Sequence, residues 1–450
     1  MRKGKSGEKM KITLFGGAGE IGGNKILLED GKSRIFLDFG ESFTLLDEYY
    51  VPESYLAPRE RFGLKDYFEF NLVPQISGLY TKEAVENTSL KYSSPEFDAV
   101  FISHAHNDHV AHLPYLHKEI PIYMGETTKK ILDSTAEMTK QECFDEENIV
   151  RTFRSGKVIE VGEFKVVPVH VDHSVPGAYG FLVEGKSGRV AYTGDIRKHG
   201  QRADMSEEFV KKAAQFEPDV LIVEGTRVGG DSRKNHTEKF VEEESAKVAQ
   251  NAKGIVVGMR YPKDLDRLRT FYNIAKESGR KLVISTKTAH LLQTLQGDAI
   301  GLPDPFNDEN IEVYCRKMKM YKKFEKENME KCASFEDVQK MQKECVFELD
   351  FYYLTELVDV KPQGGELIHS MSEPFEEDPL SKIADGVLKN WCTHFGLQPH
   401  QLHASGHAGE KEIFEIIEEI NAKKVVPVHT QHPELFPKCA QLKKGDSLEL

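Results

Sequence analysis

Apolar and polar positions alternate at short spacing through the first half of the chain, then shift toward a helical period. Lys11–Phe15, Asn24–Glu29 and Arg34–Phe39 are β-branched runs bounded by Gly and Asp, and they predict strands. Asp98–Ser103, Glu163–Val171, Gly180–Gly185 and Arg189–Asp195 predict further strands. Asp30-Gly31 and Lys186-Ser187-Gly188 predict hairpin turns. From about Arg227 to Phe395 the pattern is mostly helical, with a Thr237 cap before one helix and a charged helical stretch over Arg316–Lys331. Inside this part, Gly254–Arg260, Leu265–Arg280 and Lys281–Ser285 read strand, helix, strand, a parallel α/β unit. The end of the chain predicts a loop, a helix over Lys411–Ile420 and a strand over Val425–His429.

The 450 residues suffice for two or three domains. Apolar residues at 39% and charged residues at 30% describe a soluble folded chain. The longest apolar runs, such as Val220–Val223, are strand-length, so no membrane span or leader peptide is expected. Six cysteines without a CxxC predict free thiols in a cytoplasmic protein. A net charge of −13 argues against a general nucleic-acid coat protein, while leaving room for a local basic groove.

Gly17-Ala18-Gly19-Glu20-Ile21-Gly22 matches GxGxxG after a strand, with Asp38 downstream. A dinucleotide site needs a helix there to receive the pyrophosphate. The next residues instead predict a hairpin, which argues against a nicotinamide cofactor.

The chemistry concentrates in FISHAHNDHVAHLPYL, Phe101–Leu116. A strand leads into His104-x-His106-x-Asp108-His109, and Val110–Lys118 looks helical, with Pro114 tolerable in its first turn. In an extended loop His104 and His106 project the same way and can reach one ion, while Asp108 and His109 can serve a second. His173, Asp195, His429 and Asp38 sit at other predicted strand ends. A lone strand-end histidine is usually structural, but together these residues complete two ions. The remaining histidines, among them His112, His117 and His199, read as structural or surface residues.

HAHNDH, His173, Asp195 and His429, in that order, resemble the metallo-β-lactamase fold, an α/β class whose αββα sandwich carries metals at one edge. The resemblance implies His104, His106 and His173 on one ion, Asp108, His109 and His429 on the other, and Asp195 bridging. Asp38 matches the family's acidic position that orients a ligand histidine. The implied cofactor is a pair of divalent ions, zinc first and manganese second, suited to phosphodiester hydrolysis.

Two further features narrow the reading. Glu224 ends a strand before a long insertion, and His407 lies in HASGHAGEKEIFEIIEEI just ahead of a helix. There Gly406, Ala408 and Gly409 offer backbone N–H groups, a natural anion site. These features, with GGAGEIGGNKILLE, VDHSVPGAYGF and YTGDIR, resemble the β-CASP nucleases, and ribonuclease J most. The resemblance implies a metallo-β-lactamase domain over 1–226, an inserted α/β β-CASP domain over 227–395 and a return segment over 396–450. It implies His407 as general acid or leaving-group contact, oriented by Glu224, beside Asp108 and Asp195. His403, Ser405, Gly406 and Ala408 would seat a phosphate of the substrate strand. Arg260, ending a strand near the cleft, is a further phosphate candidate, and Tyr261 or Tyr179 can stack a base. His429 at the third motif favours RNA over DNA as partner. The expectation is a ribonuclease, 5′ to 3′ exonucleolytic with added endonuclease action. The alternatives are a DNA nuclease of the same architecture, a lactone or thioester hydrolase with the insertion as lid, and a non-catalytic RNA-binding subunit.

The chain departs from the ribonuclease J pattern in HAHNDHVAH, in PVHTQHPELF and in ending soon after its last predicted strand. The last departure bears on oligomeric state and on grip of the substrate, which the sequence leaves open.

Overall fold

The structure, a computed structural model, describes residues 9–51, 56–139, 141–230, 236–298, 301–373 and 379–450. Its strands, in chain order, begin with β1 (Lys11–Gly16), β2 (Lys25–Asp30), β3 (Ser33–Leu37), β4 (Ala99–Phe101), β5 (Ile122–Gly125) and β6 (Val150–Phe153). There follow β7 (Ile159–Val161), β8 (Phe164–His170), β9 (Tyr179–Glu184), β10 (Arg189–Tyr192) and β11 (Val220–Glu224). The insertion supplies β12 (Ile255–Met259), β13 (Lys281–Ser285), β14 (Ile311–Tyr314), β15 (Cys345–Glu348), β16 (Gly365–His369) and β17 (Leu397–Gln401). β18 (Lys424–Val428) and β19 (Ser447–Glu449) close the chain.

Two sheets form the first body, in the orders β19-β1-β2-β3-β4-β5-β6 and β18-β11-β10-β9-β8-β7. Period-two alternation decides how they stack. Ile12, Leu14, Ile26, Leu28, Ile35 and Leu37 point one way and pack on Val166, Phe181, Val183, Val190, Tyr192, Ile222 and Val426 of the second sheet. Leu27, Phe36, Val100 and Ile102 point the other way, into the helical layer with Leu64, Leu113 and Ile131. Leu182, Ala191, Leu221 and Val223 form the outer face of the second sheet. Phe209 and Ala213 of helix Ala203–Phe216 cover it, with Ile413, Ile416, Ile417 and Ile420 of helix Glu410–Ile420. Spacing of three and four residues puts these isoleucines on one stripe, and burying each contributes about 2 kcal/mol. The result is the expected αββα sandwich.

The insertion is the expected α/β body, with more strands than its mostly helical pattern suggests. It is built on a parallel six-stranded sheet, order β14-β13-β15-β12-β16-β17, with helices on both faces. Its strands hold only four or five residues and most are buried on both faces, so they lack the alternation that marks a half-exposed strand. β17 still pairs with β16, so this sheet runs past the expected boundary at 395. Within Arg316–Lys331, the only α-helix is Lys323–Glu327, followed by a 3₁₀ turn at Met329–Lys331. In the metal loop the helix is Asn107–Val110, and Pro114 opens a separate 3₁₀ turn, Leu113–Tyr115.

A buried ionic network joins the two bodies. Arg197, two residues past Asp195, is fully buried. Its Nη1 donates to Glu238 Oε1 at 2.9 Å and Ser405 O at 3.1 Å, its Nη2 to Asp266 Oδ2 at 2.7 Å, and its Nε lies 3.4 Å from Asp172. Arg267 adds a second cation to Glu238 at 3.0 Å. Burial opposes the Arg197 charge, but Glu238, Asp172 and Asp266 outweigh it and hold the guanidinium ionised. Arg197→Met is expected to leave buried carboxylates without their cation and to cost about 3–5 kcal/mol in a urea unfolding curve.

Lys25 is also buried, with Nζ donating to Gly23 O at 3.2 Å and lying over the Phe39 ring. Burial lowers its pKa to about 7, against the partial support of Glu20. A lysine whose pKa is lowered on folding costs stability in full below the folded pKa, and progressively less as pH rises toward the unfolded value. Stability from this group therefore rises as pH climbs from 7 toward 10.5. The Tm of wild type minus that of Lys25→Met is expected to climb across this window, with the variant the more stable protein at pH 7.

Candidate metal centre

Every candidate ligand stands just beyond the carboxyl end of a strand. Asp38 follows β3, His104 to His109 follow β4, His173 follows β8, Asp195 follows β10 and His429 follows β18, while Glu224 is the last residue of β11. β3 and β4 are parallel, as are β10, β11 and β18, so both sheets deliver these ends to one edge of the sandwich.

Two donor sets meet there. His104, His106, His173 and Asp195 form one, and Asp108, His109, Asp195 and His429 the other. In the first, His106 Nδ1 lies 3.1 Å from both His104 Nε2 and His173 Nε2. Tetrahedral nitrogens at zinc–nitrogen bond lengths stand about 3.3 Å apart, so the spacing fits one ion. Asp195 Oδ2 is common to both sets. It lies 3.5 Å from His104, 3.3 Å from His109, 3.8 Å from His173 and 3.9 Å from His429. His429 Nε2 is 2.9 Å from Asp108 Oδ2.

The donors pass a stricter test of fit. Both Asp195 oxygens and His109 Nε2 are buried with no hydrogen-bond partner among the described residues. Buried polar atoms are rarely left so, and a cation is the partner that satisfies several at once. The opposite ring nitrogens are already engaged. His109 Nδ1 is 2.7 Å from Asp38, His104 Nδ1 3.0 Å from Ser103 Oγ, His173 Nδ1 2.6 Å from Gly406 O and His429 Nδ1 2.8 Å from Thr226 Oγ1. Such anchors fix the ring and turn the other nitrogen inward.

Asp38 is the hub of this support. It takes Ser103 N at 2.7 Å, Ser103 Oγ at 2.8 Å and Tyr192 OH at 2.7 Å besides His109. Its φ is +59° and that of His429 is +54°, two side-chain-bearing residues held in the left-handed region at the site. The glycine motif finds its purpose here. A Cβ at Gly22 would sit 2.8 Å from Asp108 Cβ, and one at Gly40 only 1.7 Å from Asp108 O. The glycines admit the metal loop at backbone distance, and Gly17 O accepts from His429 N at 2.7 Å.

Charge follows the same geometry. Burial alone would lower the His109 pKa, but Asp195, Asp38 and Asp108 hold it well above its ordinary value. Burial likewise opposes His429, and Asp195 and Asp108 raise it to about 9. Asp195 is itself held well below the carboxylate range: burial would raise it, and His109, His429 and His104 outweigh that. The site is an anionic nest that favours cations.

Beside it stands a second unit. His407 Nδ1 lies 3.1 Å from Glu224 Oε1, whose carboxylate also accepts from Ile196 N at 2.9 Å and Thr226 Oγ1 at 2.6 Å. Thr226, which the sequence reading passed over, links Glu224 to both His407 and His429. The only signal available was its place two residues after a strand-end acid.

Comparison with known proteins agrees with this geometry. Residues 71–256 match the family model described as a beta-lactamase superfamily domain, and residues 397–436 one described as a Zn-dependent metallo-hydrolase RNA specificity domain. A domain of the metallo-β-lactamase superfamily thus spans residues 71–256, and the chain is ribonuclease J-like. Ribonuclease J of Helicobacter pylori is 22% identical over 439 residues, covering 94% of this chain and 56% of its own length. Ribonuclease J of Mycoplasma pneumoniae is 22% identical over 429 residues, covering 94% of this chain and 68% of its own. The chain thus spans little more than half the length of the first of these relatives. A crystal structure of a protein of unknown function from Enterococcus faecalis, 24% identical, superposes with a TM-score of 0.79 over 98% of this chain and 100% of that one. The fold is therefore shared end to end.

Several expected substrate contacts are already committed inside the protein. Arg260 is buried and ion-paired to Glu348, and its Nη1 donates to the carbonyls of Tyr261, Pro262 and Asp264. It braces a loop rather than reaching a phosphate. Ala408 N donates to Ile196 O at 2.7 Å and Gly409 N to Glu412 at 3.1 Å, so neither N–H is open to an anion. Gly406 contributes its carbonyl to His173, and Ser405 O accepts from Arg197 and His199. His403 is pushed down to about 3 by burial and by Arg267, so it stands neutral at the cleft. Tyr179 is core, stacked on His170. His112 and His199 hold loops, bonded to Gly40 O and to Glu412 with Ser405 O.

Asp195→Ala is expected to drop bound divalent metal below half the wild-type content by elemental analysis, with an unchanged circular dichroism spectrum. Asp38→Asn and Thr226→Val keep the donors but loosen their anchors, and a competition assay against a chelator is expected to show affinity weakened about 10–100-fold.

Proposed function

We propose that the chain is a two-metal ribonuclease that hydrolyses RNA phosphodiesters, 5′ to 3′ from the end and with internal cleavage as a second mode. The observation that carries the reading is the pair of donor sets sharing Asp195 Oδ2, flanked by the Glu224–His407 pair. His104, His106 and His173 with Asp195 would hold one ion, and Asp108, His109 and His429 with Asp195 the other. Zinc suits these donors first, manganese second. When bound, such a pair supplies Lewis-acid polarisation of the phosphate and an acidified attacking water.

The chain's own residues do the rest. Asp38, Ser103, Gly406 and Thr226 fix the imidazoles, so geometry is set before substrate arrives. Glu224 holds the proton of His407 at Nδ1 and turns the ring toward the cleft, where it can serve the leaving oxygen. RNA as substrate is supported by the relatives' name and by the matched RNA specificity segment, which contains both His407 and His429. Six free cysteines suit a reducing compartment, and the reading places the enzyme in the cytoplasm.

RNA carrying a 5′ label and a 5′ monophosphate is expected to release labelled mononucleotide. His109→Ala and Asp108→Ala are expected to lower turnover at least 1,000-fold while the fold stays intact. Chelation abolishes activity, and added zinc or manganese restores it. Full turnover by His109→Ala, faster cleavage of matched DNA, or activity confined to lactones and thioesters would each sink the assignment.

A further inference from the structure

Tyr192, the last residue of β10, carries a hydroxyl into the apolar layer between the two sheets, beside Phe181, Val190 and Ile222. The side chain is fully buried. A phenylalanine fills nearly the same volume, so packing alone does not call for the oxygen. A hydroxyl in such a layer is costly unless it is hydrogen-bonded.

This one is bonded on both sides. Asn24 Nδ2 donates to Tyr192 Oη at 2.9 Å, and Tyr192 Oη donates to Asp38 Oδ2 at 2.7 Å. A carboxylate only accepts, so the single hydroxyl proton points at Asp38, and the amide supplies the proton on the far side. Asn24 is fully buried too, just ahead of β2. Gly17 makes room for it, since a Cβ there would sit 2.1 Å from Asn24 Oδ1.

Asp38 in turn serves the two donor sets unequally. His109 Nδ1 reaches Asp38 Oδ2 directly, at 2.7 Å. His104 Nδ1 reaches it only through Ser103 Oγ, 3.0 Å from the ring and 2.8 Å from the same carboxylate oxygen. His173 and His429 are anchored by Gly406 O and Thr226 Oγ1, away from Asp38. A charged acceptor behind a ring fixes its tilt and raises its basicity more than a neutral hydroxyl does. Asp38 itself stands at φ +59°, a backbone that persists only where its surroundings hold it.

We propose that Asn24 and Tyr192 are positioning residues for one ion of the two: they brace Asp38 against His109, and so set the affinity of the Asp108–His109–His429 set while leaving the His104–His106–His173 set nearly untouched. The proposal rests on the two-metal reading and deepens it by making the two ions unequal. The control lies between the sheets, in side chains that are not themselves ligands.

The test titrates cobalt(II) into the chelator-stripped full chain and follows its visible d–d absorption. His173→Ala leaves only the Asp108 set complete, and Asp108→Ala only the His173 set. Tyr192→Phe keeps the ring in the core. It is expected to weaken cobalt binding about tenfold on the His173→Ala background and less than about twofold on the Asp108→Ala background. On the first background the cobalt bands are also expected to shift, which a change in stability alone does not produce. Asn24→Leu is expected to weaken the same ion about threefold, and to add nothing to Tyr192→Phe because it acts through the hydroxyl. Additive losses in the double variant would remove Asn24 from the relay. Equal weakening on both backgrounds would make Tyr192 a general support of the fold. Unchanged or tighter binding on the His173→Ala background would make it a packing residue. Either result overturns the proposal while wild type still takes up two cobalt ions. Wild type that binds fewer than two overturns the two-metal reading itself.

Discussion

A single carboxylate oxygen, Asp195 Oδ2, buried within 4 Å of five imidazoles and given no hydrogen-bond donor, is the constraint around which the rest is arranged. A group so placed is expensive in a low-dielectric interior unless a cation joins it. The protein does not avoid the expense. It crowds Asp108 and His106 against the same point, and pins the rings of His104, His109, His173 and His429 from behind. Asp38 and His429 accept left-handed backbone to reach their places, and Gly22 and Gly40 give up side chains to let Asp108 in. Left-handed backbone, a bare carboxylate and two close-packed glycines meet at one sandwich edge, a combination that marks functional sites.

The inserted body is fastened to that edge by charge. Arg197 leaves the Asp195 loop and meets Glu238 and Asp266 of the insertion and the carbonyl of Ser405 on the His407 loop. One buried guanidinium thus fixes the candidate-site edge, the insertion and the His407 loop relative to one another. Arginine suits this because its fork can satisfy several acceptors in fixed directions, which a lysine cannot.

How much of this could be read from the residues alone follows from what a sequence encodes locally. The clustering of the candidate ligands was legible because residue type, strand-end position and the HxHxDH spacing agree. The sandwich was legible because half-exposed strands alternate. Of the insertion's sheet, β12 and β13 were legible as a parallel α/β unit, while β14 to β17 were not, since short strands carry little period and sit among charged segments. Donor inventories misled for a different reason. Arg260, Ala408 and Gly409 were correctly seen as donors, but only the fold shows that both Nη atoms of Arg260 and both backbone N–H groups already have partners within the protein. Thr226 was missed because a threonine bridging two histidines and a glutamate has no spacing signature at all.

β18 lies beside β11 in the second sheet, and His429, just past its end, meets Asp108 across 321 positions of chain. The cation nest therefore cannot be finished during translation until the whole intervening body has left the ribosome. A half-synthesised polypeptide therefore carries an incomplete set of candidate ligands. Topology itself sets when the site can first exist.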